Sequence, residues 1–305
     1  MPADKLQRIL VPVDFSAASA NGLLVGSEIA RRFGAHLTVL HVEIATAAFT
    51  EALTGTNTAA DVEAAAHGHR QAVQERLEEF VSRILGGVAD AVVVDAIFVA
   101  DAIVRYAEEH GTDWICMGGT GHRAIERLVL GDTAARVLRQ SHVPVLTLRS
   151  EFVFDDFRRV LVAVDLGEGS RRVIEMGAAL ARPGGQLTVM HVVESVEELG
   201  LYRVPLQAPA EDVRAAVEWC EGALGDLLPD VDPGLLAPVR VVVGRPGAGI
   251  LAVEREMQPD VTVVGTHGRH GFERLVLGSV AERVARRAVG PVLVVPNLVD
   301  SPAQE

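Results

Sequence analysis

The feature that most restricts this chain is an internal repeat. "RILVPVDFS" at residues 8–16 returns as "RVLVAVDLG" at 159–167, and "LTVLHV" at 37–42 returns as "LTVMHV" at 187–192. "ERLVLGDTAARV" from Glu126 is answered by "ERLVLGSVAERV" from Glu273, and "VPVLTL" from Val143 by "GPVLVV" from Gly290, in the same order. Asp165 follows Asp14 by 151 residues and Gly265 follows Gly118 by 147. A repeat of that size is a whole domain duplicated, because solenoid units run to only about 20–50 residues. A chain of 305 residues has room for two ordinary domains. The link falls near "RSEFVFDDF" at 149–157, which predicts a first domain over 1–149 and a second over 155–300.

Within each half, short apolar runs alternate with helix-like segments. The first half has runs at 9–13, 37–42, 91–94, 114–117 and 144–148, and the second at 160–164, 187–193, 239–243, 261–264 and 291–295. Strands separated by helical crossovers pair in parallel, and the helices then cover both faces of the sheet. Composition agrees, since 49% of residues are hydrophobic but only 4% aromatic. The interior must be built from Val, Leu, Ile and Ala, the usual content of buried parallel strands. The expected fold class is α/β, two tandem domains each with a five-stranded, parallel, doubly wound sheet.

Acidic residues outnumber basic ones by 41 to 28, a formal charge of −13. A surface of that sign repels phosphate backbones and anionic headgroups, so nucleic acid and membrane are not expected partners. No signal-peptide pattern opens the sequence and no apolar stretch has the length of a membrane span, which makes a cytoplasmic protein the expectation. Cys116 lies in an apolar run and Cys220 in a helix-like segment. Two thiols without a placed partner read as ordinary buried cysteines of a reducing compartment.

The chemistry concentrates in "VGTHGRHGFERLVLGSV" at 264–280, with Gly265, Gly268 and Gly278, then Ser279 and Val280. A glycine turn between a strand and a helix lets the backbone approach a ligand, and the helix N-terminus adds unsatisfied donors and a positive dipole end. Ser279 can cap that helix and donate its hydroxyl to a phosphate oxygen. Arg269 and Arg274 are cations in the same loop. In a doubly wound sheet, ligands bind beyond the carboxyl ends of the strands, which favours an anion site over a purely structural turn. Asp14 and Asp165 end the first strand of each half on that same edge. Each could accept a hydrogen bond from a ligand amino or hydroxyl group, or could cap a turn. Neither a P-loop nor a dinucleotide fingerprint follows the first strand of either half. His267 and His270 are spaced to share a metal ion, but no further ligand stands beside them, so no metal site is expected. His41 and His191 close the second strands and suggest a shared structural role. Arg105, Arg127 and Arg274 read as solvated helix faces, with Arg274 near the phosphate loop. The insertions at 45–68 and 195–212 follow the second strands, where lids, partner surfaces or idle loops are equally consistent.

These residues resemble the universal stress protein family in its tandem, two-domain form. The resemblance covers nearly the whole length, and its most specific part is the motif G-x2-G-x9-G-[ST], intact as Gly265, Gly268, Gly278 and Ser279. It implies a Rossmann-like domain of the adenine nucleotide alpha hydrolase type with ATP along the sheet edge, accompanied by Mg2+. Asp165 and Val192 would face the adenine, Gly265 the ribose, and Gly268, Arg269, Gly278, Ser279 and Val280 the phosphates. It also implies that the last strands of the two domains pair as an internal pseudo-dimer, with a homodimer and a protein partner as further possibilities. The first half departs from the motif: Asp14, Val42, Gly118, Gly121 and Gly131 are in place, but Asp132 replaces the serine, and Ile97 stands where the second half has Gly244. A carboxylate about 4 Å from a phosphate charge is repelled by up to roughly 4 kcal/mol at an effective dielectric of about 20, some three decades of affinity. One working ATP site, in the second half, is therefore expected. The function expected is a non-catalytic, nucleotide-dependent regulator in the stress response. The alternatives are an ATP-cleaving enzyme, whether a slow ATPase or a transferase, and a nucleotide-free scaffold.

Overall fold

The computed structural model describes residues 6–44, 59–87, 89–119, 130–148, 156–194, 210–228, 231–266 and 277–296. They divide into two compact units, Leu6–Phe154 and Asp155–Glu305. The first runs β1 (Arg8–Pro12), α1 (Ala17–Phe33), β2 (His36–Ile44), α2 (Ala59–Leu85), β3 (Asp90–Ala96), α3 (Val99–Glu109), β4 (Trp114–Gly118), α4 (Asp132–Gln140) and β5 (Val145–Leu148). The second runs β6 (Arg159–Ala163), α5 (Ser170–Leu180), β7 (Gln186–Val193), α6 (Ala210–Gly225), β8 (Arg240–Val243), α7 (Pro246–Met257), β9 (Val261–Gly265), α8 (Ser279–Arg287) and β10 (Val292–Val295).

Within the first unit the strands lie in the order β3-β2-β1-β4-β5, all parallel. Within the second the order is β8-β7-β6-β9-β10, again all parallel. Moving outward from β1 to β3 and then back across to β4 and β5, right-handed crossovers must put α1 and α2 on one face and α3 and α4 on the other. The packing agrees, because α1 touches α2 and α3 touches α4. Each unit is the doubly wound α/β domain expected. The order reverses between β1 and β4, and between β6 and β9, so each unit has one switch point where a crevice opens beyond the strand ends.

Local chemistry sets the ends of these elements. The Ser16 side chain accepts the Ser19 N–H to cap α1, and Gly34, with φ 64°, turns the chain out of that helix. Ile9, Leu10 and Val11 of β1, and Val160, Leu161 and Val162 of β6, are almost wholly buried, as strands covered on both faces must be. Gly26 and Gly177 occupy the same place in α1 and α5. A Cβ at either would lie 2.6 Å from Val11 Cγ2 or 2.3 Å from Val162 Cγ2, so each glycine sets how closely its helix meets the central strand. At the amino edge, Asp113 Oδ2 accepts the N–H groups of Gln7 and Arg8 at 2.7 and 2.9 Å. Asp260 Oδ2 does the same for Arg158 and Arg159 at 2.8 and 2.7 Å. This amino edge is tied into the fold, which leaves the carboxyl edge for chemistry. Among the described residues no helix is long and apolar enough to cross a membrane.

Candidate functional site

The two aspartates stand where the switch points open. Asp14 Oδ1 accepts the Ser16 N–H at 3.1 Å and the Ser16 hydroxyl. Asp165 Oδ1 accepts the Gly167 N–H at 3.1 Å and the Ser170 hydroxyl at 3.2 Å. One oxygen of each carboxylate is therefore spent on ordering the turn into the next helix, the capping role that the sequence left open. Directly after each, Phe15 and Leu166 adopt φ 63° and 62°. Left-handed backbone costs a non-glycine residue roughly 1 kcal/mol or more, and residues held there gather at ligand sites. Nothing in a large apolar residue announces this conformation, so the sequence reading missed both positions.

The histidines that close the second strands act on this turn. His41 Nδ1 lies 2.8 Å from the Val13 carbonyl and His191 Nδ1 2.8 Å from the Val164 carbonyl. A carbonyl can only accept, so each Nδ1 carries the proton and holds the residue that precedes the aspartate. This is the shared structural role expected of the pair. The first domain adds a cluster that has no counterpart among the described residues of the second. Glu43 Oε2 is 3.4 Å from His41 Nε2 and Oε1 is 3.3 Å from His69 Nε2, whereas Val193 stands at the equivalent place on β7. The Phe15 ring tilts against His41 at 4.5 Å, with the Arg76 guanidinium 4.1 Å over its face. Val42 and Val192 bury their side chains. Val192 packs toward Gly249 of α7, so what it offers a ligand is main chain.

The glycine motif is closed at its base by a pair of hydrogen bonds in each domain. Gly119 N–H donates to the Leu148 carbonyl and Gly131 N–H to the Gly119 carbonyl, both at 2.6 Å; Thr266 and Gly278 repeat this toward Val295 and Thr266 at 2.9 and 2.7 Å. The Gly278 N–H is thereby used inside the loop and does not face a ligand. Gly278 is itself the N-cap of α8, with φ −61° and ψ 148°, and Gly131 is the N-cap of α4. Ser279 is already the first helical residue, so the capping role expected for its side chain is corrected. A cap needs the extended backbone that the glycine supplies; its carbonyl accepts the Glu282 N–H at 2.9 Å, but a glycine has no side chain to accept a further bond from the first turn. Among the described residues the N–H groups of Ser279 and Val280 meet no acceptor, and the Ser279 hydroxyl is exposed beside them. Asp132 holds the same place in α4 and is exposed. There its negative charge favours the helix dipole by about 0.3–1 kcal/mol.

The other expected residues have different fates. Gly118 is present for packing, since a Cβ there would fall 2.6 Å from the Ala18 carbonyl carbon. Gly244 has φ 148°, a conformation that Ile97 does not share, and Ile97 is 70% exposed. Gly265 ends β9 on the open edge. Gly121, Gly268, Arg269, Arg127, His267, His270 and Arg274 lie outside the described residues. Cys116 is fully buried, and burial pushes its thiol well above the usual range, so it is no nucleophile; Cys220 is buried as well. Among the described residues no three His, Cys, Asp or Glu side chains gather as a metal-binding group.

A family model for the universal stress protein family matches residues 5–149 and 156–296. The chain belongs to the universal stress protein family. A universal stress protein of Mycolicibacterium smegmatis is 28% identical over 294 residues, 94% of this chain and 96% of the relative. One of Mycobacterium tuberculosis strain H37Rv is 32% identical over 179 residues, 54% of this chain and 55% of the relative. Among solved structures, a universal stress protein from Archaeoglobus fulgidus DSM 4304 aligns with TM-score 0.65 at 22% identity, over 96% of this chain and 99% of that one. At that identity the likeness is one of fold. The two universal stress protein domains of this chain share the edge of Asp, His and glycine-capped helix, and differ most plainly at Asp132 and Ser279.

Proposed function

We propose that the second universal stress protein domain binds ATP at the carboxyl ends of β6, β7 and β9, and that occupancy of this site regulates the protein without catalysis. The observation that carries the reading is the start of α8. A glycine N-cap whose N–H closes its own loop leaves the Ser279 and Val280 N–H groups without an acceptor among the described residues, beside a neutral hydroxyl at the switch-point edge. Asp165 and the Val192 main chain lie on the side assigned to adenine, and Gly265 on the side assigned to ribose. Gly268 and Arg269 complete the phosphate assignment. Magnesium would be carried by the triphosphate and water, since no carboxylate takes the place of Ser279 in this domain.

The first domain keeps Asp14, Val42, Gly118, Gly121 and Gly131 but presents Asp132 to the same position. Asp132 is exposed, so water screens it and the repulsion lies between about 1 kcal/mol at bulk dielectric and about 4 kcal/mol at an effective dielectric near 20. On this reading the first domain is the weaker or empty partner, and a protein that recognises the loaded second domain carries the stress signal. The test is ATP affinity of nucleotide-stripped chain against the Ser279→Asp variant. The variant is expected to bind about 10- to 100-fold more weakly; equal affinity in the two would refute the phosphate assignment.

A further inference from the structure

Glu254 of α7 is a buried carboxyl group, 3% exposed, that the nucleotide site does not use. Its Oε1 accepts the N–H groups of Val289 and Gly290 at 2.9 and 3.1 Å. Its Oε2 is buried without a hydrogen-bond partner among the described residues. A buried carboxyl group with an orphaned oxygen is costly, and its presence calls for a reason. The first domain shows that the fold does not require it. Counting back from the strand-anchoring aspartates Asp260 and Asp113, the equivalent of Glu254 is Ala107, which is buried and apolar. There the turn after α4 is held locally, by Ser141 Oγ accepting the Val143 N–H at 3.2 Å and donating to the Val143 carbonyl at 2.8 Å.

Val289 and Gly290 follow directly on Ala288, the C-cap of α8. This helix has nine residues, short of the roughly 12–15 that an isolated helix needs, so neighbours and end contacts decide where it sits. It is gripped at a second point as well. Gly247 of α7 admits the Arg283 side chain so closely that a Cβ would lie 2.6 Å from Arg283 Cδ, and the first domain has Ala100 in that place. Both grips are found in the domain with the intact motif.

We propose that Glu254 is a positioning residue for the phosphate end of α8. By drawing the Val289–Gly290 turn onto α7, it fixes the axial position of a short rigid helix, and thereby the direction in which the Ser279 and Val280 N–H groups point at the far end. The inference rests on the nucleotide reading above. It makes the buried carboxyl group a cost borne for the alignment of an anion site.

The experiment compares ATP with adenosine on the full chain as wild type, Glu254→Ala, which copies the first domain, and Glu254→Gln, whose amide oxygen still accepts from the turn. Glu254→Ala is expected to lose about tenfold or more in ATP affinity with adenosine affinity unchanged, and Glu254→Gln to keep ATP affinity within about threefold. A general loosening of the domain would weaken both ligands together, and that result, or an unchanged ATP affinity, overturns the proposal. A second measurement needs no variant: ATP should slow amide hydrogen exchange at Val289 and Gly290 of the wild-type chain, and unaltered exchange there also overturns it. Failure of the wild-type chain to bind ATP would instead sink the nucleotide reading, and this inference with it.

Discussion

The two domains have the same strand order, and what they share is distributed differently from what they do not. Shared features sit where the fold needs them. Asp113 and Asp260 anchor the amino edge, Gly26 and Gly177 seat a helix on the central strand, and His41 and His191 hold the carbonyl before the aspartate. The differences gather around the ligand edge and the helix that serves it: Asp132 for Ser279, Ile97 for Gly244, Glu43 for Val193 and Ala107 for Glu254. A duplicated domain thus separates scaffold from site within one molecule.

The largest effect should come from exchanging the residue that divides the domains. Asp132→Ser is expected to add ATP binding to the first domain, raising stoichiometry toward two per chain. No second site in that variant would mean that Ile97 or the Glu43 cluster, and not Asp132, closes the first edge.

The next effect, on stability and not on ligand binding, is expected at a shared position. Gly177→Ala forces a methyl group to 2.3 Å from Val162 Cγ2 and should cost about 1–3 kcal/mol in denaturant unfolding. Gly26→Ala, at 2.6 Å from Val11 Cγ2, should cost about the same. A large cost in one and none in the other would show that the scaffolds are less alike than the geometry says.

His41→Phe and His191→Phe each remove the bond to the preceding carbonyl. Each should cost about 1 kcal/mol, with His41 the more sensitive because its ring also meets Phe15 and Glu43. Equal costs would leave the first-domain cluster without energetic weight.

The smallest effect is expected at the left-handed residues. Leu166→Gly removes backbone strain and a half-buried side chain together and should change stability by less than about 1 kcal/mol. Phe15→Gly loses ring contacts with His41, Phe80 and Arg76 as well and should be the more costly. The reverse order would show that the Phe15 ring contacts contribute little.

Most of the fold was legible because parallel strands buried on both faces write themselves as apolar runs. The run at 91–94 widened only to Asp90–Ala96, and that at 114–117 to Trp114–Gly118. The repeat then supplied the topology twice. The site was legible at the level of residue type: glycines, a serine and strand-end aspartates. Its hydrogen-bond assignments were not. Ser279 as the first helical residue depends on one backbone dihedral at Gly278, and the use of the Gly278 N–H depends on a carbonyl twelve residues earlier. The packing demand on Gly118, where Ala18 stands against the place of a Cβ, was not legible either, because the sequence shows no distance between residues a hundred apart. Glu254 gave no signal, since a glutamate on an amphipathic helix ordinarily faces water.

The measurement that bears most directly on this account is titration calorimetry of nucleotide-stripped full chain with ATP and magnesium, read for stoichiometry. One site per chain, abolished or strongly weakened by Ser279→Asp, is the predicted result. Two equal sites would show that Asp132 is accommodated and that the domains are not divided by charge, and no binding would contradict the nucleotide reading itself.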